Sequence, residues 1–137
     1  MDRTYEVVVV GAGPAGSAAA TACAKAGLST LLIEEQAHIG IPVQCAGLLS
    51  CSAFDECRVS KKSVLNTVSG ATISTDHASL SFDAGKKKAY VVDRSQLDLE
   101  MGIVAADAGA EIQLKTRAYG IYQAPHILKT TGTKGKE

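Results

Sequence analysis

Residues Val7 to Glu35, VVVVGAGPAGSAAATACAKAGLSTLLIEE, leave this chain few folds to choose from. Four consecutive valines, Val7 to Val10, suit a strand buried on both faces of a parallel sheet. Gly11-Ala12-Gly13-Pro14-Ala15-Gly16 follows, a complete G-x-G-x-x-G. The small residues after it predict a helix from Pro14 to about Ala26. A second apolar run, Leu31-Leu32-Ile33, then ends on Glu34.

Each part has a physical role. Gly11 allows the tight turn off the strand, Gly13 lets a pyrophosphate approach the backbone, and Gly16 lets the helix pack closely on the sheet. Pro14 suits the first helical turn, where a missing N–H costs nothing. The free N–H groups at that helix start, with the helix dipole, favour phosphate. Glu34 ends the second strand, where a carboxylate can accept hydrogen bonds from the ribose hydroxyls of an adenosine and would repel a 2′-phosphate, which argues against NADP. A glycine pattern alone is weak. The strand, the helix and the acid at the right distance supply the context it needs, and favour a dinucleotide site over a glycine-rich turn in some other α/β protein.

The 137 residues fit one ordinary domain, and an apolar content of 46% is enough for a core. Zero formal net charge removes the bulk electrostatic case for nucleic acid, and the lack of Trp disfavours a base-stacking surface. Residues 2–6 are polar and the run behind them is strand-length, so no targeting peptide is visible. No window reaches the roughly 20 apolar residues of a membrane span. The expectation is a cytoplasmic protein, with peripheral membrane contact left open. Cys23, among alanines, reads as a buried small hydrophobe. Cys45, Cys51 and Cys57 have five residues between each neighbouring pair, which is not a C-x-x-C zinc or redox pattern, so free thiols and no metal are expected.

Gln36 to Leu49 is punctuated by Gly40, Pro42 and Gly47 and reads as a loop that would lie over a cofactor beyond the strand ends. Ser50 to Cys57 suits a short helix capped by Ser50. Residues 66–92 read as a small antiparallel meander: a β-rich stretch from Val68 to Thr75, a turn at Asp76-His77, an alternating Leu80-Ser81-Phe82, a turn at Asp83-Ala84-Gly85, and a strand at Ala89 to Val92. His77 is read as a turn residue rather than a ligand or base. Lys86-Lys87-Lys88 is read as a solvated turn, with a phospholipid headgroup contact as the functional alternative. Asp93 to Gly109 returns to helix, with Ser95 and Asp98 as a capping pair and Gly109 as the left-handed stop. Its stripe of Leu97, Met101, Val104, Ala105 and Ala108 reads as core packing, and Gly102 weakens its interior. Residues 111–116 alternate as a strand, and Tyr119 to Gln123 suggests another. From Pro125 on, no usable pattern remains and the tail is expected to fray.

Three stretches together resemble the geranylgeranyl reductase family. GAGPAGSAAA followed by LLIEE looks like the FAD-binding start of many flavoproteins. Gly40-Ile41-Pro42-Val43-Gln44-Cys45-Ala46 is similar to that family's more specific G-x-P-x-x-C-A motif. Tyr90-Val91-Val92-Asp93-Arg94-Ser95-Gln96-Leu97-Asp98, with Ala108 to Ile112, resembles its V-D-R…D helix and following strand. The resemblance runs from Tyr5 to about Ile121. It implies an α/β fold: a Rossmann-like FAD-binding domain at 1–123, with a β-rich antiparallel insertion at 60–92, a tail at 124–137, and an incomplete C-terminal side, since family members carry a long C-terminal half.

The resemblance further implies FAD and reduction of isoprenoid (geranylgeranyl) double bonds in archaeal-type lipids. An isoprenoid lipid substrate, an electron donor and a complementing C-terminal polypeptide are the implied partners. Carried over by position, Gly11, Gly13, Ala15 and Gly16 belong to the pyrophosphate site, and Glu34 to the ribose. Cys45, Ala46 and Leu48 belong to the flavin side, Arg94 to FAD polar groups and Ala118 to the adenine end. Cys45 is the one candidate catalytic residue, with a merely buried thiol as an equal alternative; for Arg94, cofactor contact is favoured over a helix-start surface residue because it directly follows a buried strand. Rival readings are another flavoprotein (a monooxygenase or dehydrogenase), an NAD-binding module, and a non-catalytic fragment that folds with a partner.

Overall fold

A computed structural model of the chain describes residues 4–123 and 126–132. Strand β1 (Val7–Val10), helix α1 (Pro14–Lys25) and strand β2 (Thr30–Ile33) form an opening unit whose strands pair in parallel, Val7 with Thr30 through Val10 with Ile33. A short strand that follows the last helix, Glu111–Gln113, pairs in parallel with the other side of β2. All four residues of β2 are buried, whereas Val10 is 58% exposed. The two-faced burial expected of the valine run therefore falls on β2 instead. The reason is position: β2 is central in this three-stranded sheet and β1 is at its edge.

The middle of the chain builds strand β3 (Leu48–Ser50), helix α2 (Cys51–Glu56), and strands β4 (Val64–Val68), β5 (Gly70–Ser74), β6 (Ser79–Asp83) and β7 (Ala89–Val92). Ser50 caps α2 as expected, its hydroxyl accepting from the Ala53 N–H at 3.1 Å. The expected meander is two sheets: β7 sits between β3 and β4, and among the described residues β5 pairs only with β6. The strand expected over 68–75 breaks at Ser69, which separates β4 from β5.

Helix α3 (Arg94–Asp107) joins the two halves. Its Ala105 packs with Ala12, Ala20, Leu32 and Ile39 in one core, and its Leu97 and Met101 pack with Phe54, Tyr90 and Val92 in the other. The N-cap differs from expectation. Asp93, not Ser95, caps α3, accepting from the Ser95 and Gln96 N–H groups, while the Ser95 hydroxyl itself donates to Asp93 at 2.6 Å. Asp98 closes no capping box, because Arg94 holds it. Gly102 is a packing position: a Cβ there would press on Ile39 Cδ1 at 2.5 Å. Gly109 (φ +105°) stops the helix as expected.

The strand β8 (Glu111–Gln113) ends earlier than the alternation to Thr116 suggested, because Lys115 adopts φ 52°. Strand β9 (Thr116–Gln123) starts beyond it and pairs antiparallel with β10 (His126–Gly132), from His126 opposite Gln123 to Gly132 opposite Thr116. The frayed tail is thus corrected for 126–132: β9 offers a strand long enough to supply backbone partners that local pattern alone did not reveal. Residues 124, 125 and 133–137 lie outside the described residues. Cys23 is half-buried rather than buried, and all four cysteines are free thiols.

Candidate functional site

The turn from β1 into α1 sets the site. The Gly11 N–H donates to the Ile33 carbonyl at 2.8 Å, which ties the turn to the end of β2. Gly13 is the N-cap of α1 and no side chain caps this helix, so the first-turn N–H groups of Ala15 and Gly16 face outward without an intrahelical partner. A Cβ built at Gly13 meets nothing within 4 Å, so the space over this backbone is open. Gly16 has the opposite role. A Cβ there would overlap the Gly11 carbonyl oxygen, so Gly16 is what lets α1 seat against the turn.

Glu34 lies directly beside this opening. Its Oε2 accepts from the Ala12 N–H at 2.8 Å and its Oε1 from the Gln36 N–H at 2.9 Å. Each oxygen keeps a further lone pair, the acceptors that a pair of vicinal hydroxyls would need. Its backbone is fixed as well, the N–H donating to the Gln113 carbonyl and the carbonyl accepting from Thr116. That last bond brings the start of β9 to the same place. A 330 Å³ recess is lined by Val10, Gly11, Ile33, Glu34, Glu35, Thr116, Arg117 and Ala118.

A second opening, also 330 Å³, continues from Gly13 and Glu34 under residues 40–45 to Arg94 and Asp98. The loop is held at two glycines. A Cβ at Gly40 would meet Ser95 Cα at 3.0 Å and Asp98 Cβ at 3.1 Å, and a Cβ at Gly47 would run into the Val92 carbonyl oxygen. With both ends against α3 and β7, the Ile41–Cys45 segment arches over the cleft; the Ile41–Pro42 bond is cis. Arg94 grips Asp98 through two parallel bonds, Nε to Oδ1 and Nη2 to Oδ2, both 3.0 Å. The Gly47 N–H is the main effect that holds the Cys45 thiol below its ordinary value; desolvation opposes it, and Arg94 adds to the lowering. Burial pushes the Cys57 thiol up.

The structure therefore brings together Gly11, Gly13, Glu34, Cys45, Arg94 and Ala118 around two adjoining openings. Ala15 is exposed on the first turn of α1 next to them, and Gly16 underlies the turn. Ala46 and Leu48 are exposed, Leu48 at 59%, and line neither opening. Sequence reasoning missed His38 and Gln36, which line the cleft, and Asp98 as the partner of Arg94. The i, i+4 spacing of Arg94 and Asp98 carried that signal. Among the described residues no cluster of His, Cys, Asp and Glu could hold a metal, and no helix is long and apolar enough to cross a membrane.

The arrangement can hold a diphosphate against bare backbone and a ribose against a carboxylate, so the residues present fit an adenine dinucleotide. The comparisons agree with that chemistry. The model of a family described as FAD dependent oxidoreductase matches residues 6–123. Digeranylgeranylglycerophospholipid reductase of Thermoplasma acidophilum is 38% identical over 126 residues, covering 87% of this chain and 32% of its own length. Digeranylgeranylglycerophospholipid reductase 1 of Methanococcoides burtonii is 40% identical, covering 88% of this chain and 31% of its own length. This chain thus spans about a third of the length of the curated relatives it matches. A solved geranylgeranyl bacteriochlorophyll reductase-like protein of Thermoplasma acidophilum superposes with a TM-score of 0.86 at 34% identity, over 96% of this chain and 36% of that one. A myxobacterial chondrochloren halogenase superposes at 0.75 with 18% identity, over 98% of this chain and 35% of its own, a likeness of fold alone.

Proposed function

This chain belongs to the FAD dependent oxidoreductase family, and we propose that it is the flavin-binding portion of a reductase that saturates isoprenoid double bonds of archaeal-type lipids. One observation carries the cofactor placement: the Glu34 carboxylate is pinned by the Ala12 N–H inside the same turn that leaves Gly13 open. The N–H groups of Ala15 and Gly16 receive the diphosphate, and the N-terminal end of α1 favours its charge. Glu34 accepts from the ribose hydroxyls, and its charge turns away a 2′-phosphate. Ala118, at the wall of the neighbouring recess, lies at the adenine end.

A bound flavin, once reduced by an electron donor, would supply the hydride for one alkene carbon and be reoxidised, and a proton would have to reach the other carbon. Residues 41–45 form one wall of the cleft, and Arg94, locked by Asp98, offers a fixed cation to the polar groups of the cofactor. Cys45 is the candidate catalytic residue. Its Sγ stands in this cleft, where the Gly47 N–H and Arg94 stabilise the charge left when its proton departs. The lipid substrate, an electron donor, and peripheral contact with a membrane belong to this reading and rest on the likeness to the reductases.

Two measurements test it. The purified chain should retain or bind FAD, and Gly13→Val, which has room to fold, should lose it with an unchanged circular dichroism spectrum. Unchanged flavin binding in that variant refutes the placement of the pyrophosphate. The chemically reduced flavoprotein should add two hydrogens to a double bond of a geranylgeranylated glycerophospholipid, read by mass spectrometry. Bound flavin without that product would favour the reading as another flavoprotein oxidoreductase or as a non-catalytic module.

A further inference from the structure

The β5–β6 hairpin is divided by chemistry. The register places Ala71 opposite Phe82 and Ile73 opposite Leu80, and the alternation puts all four on one face. The other face carries Thr72 bonded to Ser81 at 2.8 Å and Ser74 bonded to Ser79 at 3.0 Å. Polar-out, apolar-in alternation is the pattern of a sheet with one face against a core. Yet Ile73, Leu80 and Phe82 are 60%, 65% and 54% exposed, so no described part of this chain covers them. A lone two-stranded ribbon is marginal in water, and such a sheet gains independent stability from a third strand or from packing on its apolar face.

We propose that this face is a docking surface for further polypeptide: the two thirds or so of the longer relatives that lie outside the matched span. Two rival occupants fit less well. The face measures about 17 Å by 10 Å, so two copies stacked on each other would bury only about 400 Å², against roughly 1,200 Å² for a stable dimer. The unmatched portion of the relatives is about twice the length of the matched part, so it can bury a wider surface of which the hairpin face is one part. A lipid surface would meet the hairpin at its tip, and the tip carries Asp76 and His77 while its apolar residues lie along the ribbon. Lys87, in the adjoining basic run, lies 4.6 Å from the centroid of the Tyr90 ring. The proposal rests on the likeness in fold and length and does not depend on the lipid substrate.

The test co-expresses this chain with the unmatched portion of the solved Thermoplasma acidophilum reductase-like protein, as a separate tagged polypeptide. The expected result is a one-to-one complex, with slowed hydrogen exchange at residues 70–83. The double variant Ile73→Lys/Phe82→Lys, altering exposed side chains only, should lower capture at least about tenfold, whereas Thr72→Lys on the opposite face should not. A thermal midpoint of the double variant alone equal to that of the parent shows that its own fold is intact. No complex, or equal capture by both variants, overturns the proposal. So does a chain that sediments with anionic phosphatidylglycerol vesicles, loses that binding in the double variant, and shows no altered capture.

Discussion

At the scale of single residues, the glycines of the opening turn do unlike things for reasons their shared motif conceals. Gly13 faces open space and Gly16 faces the carbonyl of Gly11. A side chain at Gly13 therefore obstructs a ligand, and one at Gly16 obstructs the protein. Gly16→Val should cost about 3 kcal/mol or more of stability as the turn and helix are forced apart. Urea unfolding of this variant beside Gly13→Val measures the contrast, which would vanish if both glycines served the ligand alone. The thiols divide in a similar way. Cys45 is held down by the Gly47 N–H and Arg94, and Cys57 is raised by burial. The thiolate is the nucleophile, so iodoacetamide should label Cys45 well before Cys57 as pH is raised from neutral. Peptide mapping of the labelled protein reads the order directly; a reversed order would remove the electrostatic basis for Cys45 as a proton donor.

At the scale of elements, α3 depends on a cap that is itself pH-sensitive. The Ser95 hydroxyl and then the Gln96 N–H hold the Asp93 carboxyl below its usual range. A depressed carboxylate contributes stability in full above its unfolded value of about 3.9, and loses it as pH falls through the lower folded value. Asp93→Ala should therefore lower the thermal midpoint at neutral pH, and the gap to the parent should narrow only in acid, below about pH 4. A gap independent of pH would mean that the carboxylate is not the cap. This element also marks where sequence reading stops. Asp93 and Ser95 are both good N-caps two residues apart, and only the path of the chain out of β7 decides between them. The Gly109 stop of α3 had no such competitor and was legible, and the Ser50 cap of α2 was read correctly although Ser52 stands two residues on. The split of the meander was not, because the placing of β7 between β3 and β4 depends on pairings far apart in sequence. For β10 the deciding partner is β9, and a strand that exists by pairing leaves little local pattern.

At the scale of the whole molecule, the groups that fit a cofactor are unevenly spread, and that distribution has a consequence for affinity. The diphosphate and ribose end is built from backbone: the open Gly13, the uncapped start of α1, and a Glu34 tied at both oxygens. These depend on the β1–α1–β2 unit, whose strand, turn and acid were all legible because each is local. The opposite end has one arch, whose Ile41, Val43 and Cys45 are exposed, together with Ala46 and Leu48, which line neither opening. That arch was legible as a motif, but its placement was not, because Gly40 and Gly47 are fixed by contacts with Ser95, Asp98 and Val92, all far along the sequence. Most of the binding free energy available to this chain should then come from the ADP half of FAD. ADP should displace FAD with an affinity within about tenfold of the flavin's own, whereas FMN, which lacks the adenosine and one phosphate, should bind far more weakly. Bound ligand also stabilises the folded state, by about 2.7 kcal/mol at a hundredfold excess over Kd, so ADP and FAD should raise the thermal midpoint by similar amounts and neither should do so in Gly13→Val. Titration calorimetry and thermal melts with the three nucleotides measure this. Tight FMN binding with indifference to ADP would place the flavin ring, not the diphosphate, at the centre of recognition and reverse the orientation of the cofactor in the cleft.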